Sequence, residues 1–91
     1  MNAMDLAAHA GISYRQVDQW SNAGLLRPLN QGAGTGHERD YPPLEVQVAV
    51  GIAQLLRAGL TLQAAAKVAR RGRGHVIAVW QALSQALEEA S

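Results

Sequence analysis

The sequence predicts a mainly α protein, a winged helix-turn-helix with about five helices and a short two-stranded wing. Three observations carry that expectation. Two short helical signals meet at Gly11, the second leaves through Gly24-Leu25-Leu26-Arg27-Pro28, and a glycine-rich segment with glycines at 32, 34 and 36 follows. Beyond it, apolar residues recur at helical spacing almost to the end of the chain.

Each element has a local reason. Asn2 caps a first helix from about Ala3 to Ala10, with Ala3, Leu6, Ala7 and Ala10 on one face, and Gly11 suits the left-handed residue that closes it. Ser13 opens a second helix, and Gln16 stands at capping-box spacing, where side chain and backbone satisfy each other's free donors. Val17 and Trp20 point toward a core, which leaves Tyr14, Arg15, Asp18, Gln19 and Asn22 on other faces. Residues 30–41 read as the wing, with a register that its glycines leave undefined.

Pro42-Pro43 then start a long helix through Val46, Ala49, Ile52, Leu55 and Leu56 to Gly59, and Thr61 caps a fourth through Leu62, Ala65, Val68 and Ala69. The final helix, His75 to Glu89, sets Val76, Trp80, Leu83 and Leu87 along a seam of heptad spacing. An exposed seam of that kind is unfavourable, so it is expected to fold back on the domain or, as the second option, to meet another copy. Residues 1–72 therefore read as one DNA-binding domain and 73–91 as a C-terminal helix for packing or self-association.

Composition narrows the function. The chain has 91 residues, enough for one small core. Its formal net charge is only +1, but Arg57, Lys67, Arg70, Arg71 and Arg73 lie in a stretch without acidic residues, which could form a basic face. There is no cysteine, which excludes disulfides and thiolate metal sites and agrees with a cytoplasmic setting. No apolar run matches a membrane crossing or a signal segment. His9, His37 and His75 are scattered, and no nucleophile, base and orienting group are joined by a motif, so neither an enzyme nor a metal or cofactor protein is expected.

The ordered motifs resemble the DNA-binding domain of the MerR family of bacterial regulators over roughly residues 4 to 70. Leu6-Ala7 with Gly11-Ile12-Ser13 looks like the family's first helix and turn. Val17, Trp20 and Gly24-Leu25-Leu26-x-Pro28 look like its recognition helix and exit, Arg39-x-Tyr41 like the end of its wing, and Glu45-Val46, Ile52, Leu55 and Gly59-Leu60-Thr61-Leu62 like its third helix and the turn into its fourth. Asp18 and Glu38 depart from the family pattern, so its contacts are not carried to those positions. With only residues 75–91 after Gly74, the chain looks like the minimal, sensor-less end of the family, similar to small phage or bacterial regulators and excisionases.

The expected function is sequence-specific binding of double-stranded DNA, as a small transcriptional regulator. Helix 14–23 would read the major groove, where each base pair has its own donor and acceptor pattern, through Ser13, Tyr14, Arg15 and Gln19. Wing 30–41 would follow the backbone or minor groove through Thr35, His37 and Arg39. Asp18 is expected to pair internally with Arg15 or Arg39 more than to meet a base. Trp20 reads as core. The alternatives are a protein-interaction or assembly module using Val76, Trp80, Leu83 and Leu87, or an excisionase or DNA-packaging subunit. The expected assembly on DNA is a homodimer or a cooperative array.

Overall fold

The computed structural model describes residues 1–29 and 39–90. It contains the helices α1 (Ala3–Ala10), α2 (Tyr14–Asn22), α3 (Pro43–Arg57), α4 (Leu62–Arg70) and α5 (Arg73–Ala90). No helix among the described residues is long and apolar enough to cross a membrane.

The helix-turn-helix forms from its own capping groups. Asn2 accepts from the Asp5 amide at 2.8 Å, and Gly11 closes α1 in the left-handed region at φ 71°. The Ile12 amide reaches back to the Ala7 carbonyl at 3.0 Å. Ser13 and Gln16 make the full capping box, with amide-to-side-chain distances of 2.9 and 3.0 Å. These bonds satisfy donors that a short helix would otherwise leave open.

Neither helix is stable alone, and α1 packs against both α2 and α3. The buried face of α3 carries Val48, Ala49, Ile52 and Leu55, which share one core with Leu6, Ala7, Val17, Trp20 and Leu26. Val46 and Leu56, expected in that core, lie at its margin, and Glu45 takes the buried place at the start of the helix instead. On the other side of α3, Ala65, Ala66 and Ala69 of α4 and Val76 of α5 complete the core. Gly51 makes this crossing close: a Cβ there would stand 3.1 Å from a Val76 methyl and 3.2 Å from the Ala69 Cβ.

Two expectations change. Among the described residues there is no strand, so the expected two-stranded wing finds no support at its base. There the Leu29 amide donates to the Asp40 carbonyl at 2.8 Å, while Asp40 forms an isolated antiparallel bridge with Asn2 and Tyr41 pairs with Met1. The rest of the wing, with Thr35 and His37, lies outside the described residues. The final helix begins earlier than expected, at Arg73, and its seam does not fold back as a whole. Val76 is buried and Leu83 half-buried, whereas Trp80 and Leu87 are 45% and 61% exposed. Val76 is therefore a core residue of the single chain.

Candidate nucleic-acid interface

Helix α2 is held from one side and open on the other. Val17, Trp20 and Ser21 are buried, while Tyr14, Arg15 and Gln19 are exposed. Spacing explains the division, since residues three and four apart share a face of a helix. Ser13 Oγ accepts from the Gln16 amide, which leaves the hydroxyl hydrogen to donate outward beside the free amides of the first turn. A partial positive charge collects there, and a phosphate oxygen is a suitable acceptor.

The chain returning to α3 is tied to the far half of α2. Ser21 Oγ donates to the Val17 carbonyl at 2.8 Å, so the Tyr41 hydroxyl, 2.6 Å away and buried, donates to Ser21. Arg39 donates from Nη1 to Asp18 Oδ1 and from Nη2 to Asn22 Oδ1, both at 2.8 Å. Burial alone would lower the Arg39 pKa, but the hydrogen bonds to Asp18 and Tyr41 outweigh it and raise the group above its ordinary value. Of the two partners expected for Asp18, Arg39 is therefore the one it takes. Arg39, expected along the backbone or minor groove, instead lies across the outward side of α2.

The exit from α2 is fixed by groups that sequence reasoning missed. Glu45, 3% exposed, accepts the Arg27 amide at 2.6 Å and two bonds from Arg70, at 2.5 and 2.6 Å. Arg70 also donates to the Leu25 carbonyl at 2.9 Å. Burial pushes the Glu45 carboxyl upward, but the hydrogen bonds from Arg70 and the Arg27 amide prevail and hold it below its ordinary 4.5. The sequence held one signal for this. Glu45 falls on the face of Val48, Ala49 and Ile52, and a charge on a core face requires a partner.

The basic stretch does not form a single face. Arg57 Nη2 donates to the carbonyls of Gly11 and Ala10 at 3.0 and 3.4 Å, and Arg70 is neutralised by Glu45. Lys67 and Arg71 join Arg27, Gln63 and the Gly24-Leu25 exit around an open groove of about 540 Å3. Arg73 lies on another side, beside His9, Leu44 and Ile77. Among the described residues, no three His, Cys, Asp or Glu side chains form a metal-ligand set.

Residues 1–72 match the family of MerR HTH regulatory proteins. The chain is also similar to an uncharacterized HTH-type transcriptional regulator of Mycobacterium bovis, at 37% identity over 54 residues. Regulators of the same description from two strains of Mycobacterium tuberculosis match equally. The aligned part is 58% of this chain and 24% of each relative, so the chain spans about a quarter of the length of the relatives it matches. No solved structure matches. The family match covers the helix-turn-helix, its exit, α3 and α4 together, and on it the chain belongs to the MerR HTH family of regulatory proteins.

Proposed function

We propose that this chain binds double-stranded DNA in a sequence-specific manner and regulates transcription. The observation that carries the reading is the exposed polar side of α2, with Tyr14, Arg15 and Gln19 beside a capped, amide-rich N-terminus, on a helix fixed from behind by Val17 and Trp20. Family membership and the regulator names of the similar proteins agree with it. Ser13 and the first-turn amides take a phosphate, Tyr14 and Gln19 contact the backbone, and Arg15 pairs with a guanine edge. Thr35 and His37 extend the contact along the backbone or minor groove, and Arg39 adds to the outward side of α2.

Fluorescence-anisotropy titration of a random duplex pool at two salt concentrations, with the bound fraction sequenced, tests this reading. Salt-sensitive binding that enriches a motif in the wild type and loses one position of it in Arg15→Ala supports it, because phosphate contacts release counterions and base contacts carry sequence. No binding at low salt overturns it.

A second reading concerns α5. Ile77, Trp80 and Leu87 leave large apolar side chains on the surface, and such a patch favours self-association or a protein partner. Self-association would place two reading helices on one paired site.

A further inference from the structure

The carboxylate of Asp18 is a liability on a DNA-facing helix unless it has a task. Arg15, Asp18 and Asn22 fall three and four residues apart, so they form one stripe along the outward side of α2. Arg39 comes from outside the helix and lies on that stripe. Its two terminal nitrogens bridge Asp18 and Asn22 at 2.8 Å each, and Asn22 Nδ2 donates to Asp18 Oδ2 at 3.3 Å, which closes a three-residue clamp.

We propose that Asp18 and Asn22 are positioning residues that hold the Arg39 guanidinium on the recognition-helix face, so that Arg39 reads a guanine beyond the base pair contacted by Arg15. The proposal rests on α2 being the DNA-reading helix.

Three physical points carry it. The clamp uses two of the five N–H donors of the guanidinium and Tyr41 takes a further hydrogen bond, so the fork is fixed but not exhausted. Fixing it in advance removes rotamer freedom that an unheld arginine loses only on binding. The neighbouring carboxylate then selects the ligand. Asp18 is 46% exposed against 20% for Arg39, so a phosphate brought to Arg39 also meets an open negative charge. A base edge does not: guanine O6 and N7 accept from Arg39, while the amino group of a nearby cytosine can donate to Asp18.

The test is selection of bound duplexes from a random pool by the full chain, comparing wild type with Arg39→Ala, Arg39→Lys, Asp18→Asn, Asp18→Ala and Arg15→Ala, each checked by its melting curve. The wild-type motif should hold two guanine positions. Arg39→Ala should relax one by roughly 5- to 150-fold and Arg15→Ala the other. Arg39→Lys should not restore the lost position, because a lysine lacks the fork. Asp18→Ala should relax the Arg39 position while binding of random DNA strengthens, since a negative charge has gone, and Asp18→Asn should retain part of the preference. A purely repulsive Asp18 would instead leave the motif sharp in Asp18→Ala, and that result overturns the proposal. Uniform weakening of all sequences by Arg39→Ala, with the motif intact, makes Arg39 a phosphate contact and overturns it too. Failure of the wild type to bind DNA overturns the underlying reading as well, so the two failures are distinguishable.

Discussion

Glu45 places a charge in a core, and the magnitudes decide what it contributes. Removing water from a carboxylate costs several kcal/mol, which the Arg70 fork and the Arg27 amide offset without clear surplus. Taking away one partner is another matter. Arg70→Met leaves the buried carboxylate without its counter-charge, held by the Arg27 amide alone, and should destabilise the fold by about 3 kcal/mol, the lower end for a buried pair because Arg70 is itself 24% exposed. Urea unfolding monitored through Trp20 and Trp80 checks it. The same group gives a pH dependence. Its folded pKa lies below 4.5, so the stabilisation is complete above that pH and is lost as pH falls through the depressed value. Melting temperature should therefore fall with acid more steeply in wild type than in Glu45→Gln, and parallel curves would contradict this account.

Among the elements, the turn between α1 and α2 concentrates the most geometry in the fewest residues. Gly11 needs a positive φ, and a Cβ there would stand 2.7 Å from Arg57 Nη2. Gly11→Ala should cost about 1–2 kcal/mol for the left-handed backbone alone. Displacing Arg57 from the carbonyls of Ala10 and Gly11 adds to that. The two costs separate in a double-mutant cycle: in an Arg57→Ala background, Gly11→Ala should cost less, whereas strict additivity would mean that the arginine yields freely. This turn was legible in the sequence because everything that makes it lies within a few residues: the Asn2 cap, the glycine and the Ser13–Gln16 box. Of the clamp only the Asp18–Arg39 pair was legible, as one of two expected partners, and the Asn22 link and the α2 exit were not. Asp18 pairs with Arg39 and Glu45 with Arg70 from one segment to another, and Asp40 bridges Asn2 from the middle of the chain. No periodicity encodes pairings at such separations. A glycine-rich segment adds no alternation to fix a register, and Asp40 and Tyr41 pair with Asn2 and Met1 where a wing strand was expected. Arg15, Tyr14 and Gln19 could be placed from helical spacing alone, whereas the position of Arg39 required tertiary structure.

At the scale of the whole molecule, α5 is attached at one end. Val76 seats it over Gly51 and Ala69, and beyond that point Trp80 and Leu87 keep much of their surface in water. Covering a large aromatic side chain is worth about 2–3 kcal/mol, so Trp80 at a contact between copies would change an association constant by roughly 30- to 150-fold. Sedimentation equilibrium of the free protein should show concentration-dependent association that Trp80→Ser weakens by that order. The melting temperature of the monomer should change less than the association, because Trp80 is outside the buried core. DNA provides an independent readout. The slope of log K against log salt counts phosphates neutralised, so a pair bound as one unit should have about twice the slope of a single domain. Wild type on a paired site and Trp80→Ser on a half-site should therefore differ in salt dependence as well as in affinity. Equal slopes with a monomeric wild type would assign the Trp80 surface to a different protein and leave each domain to bind alone.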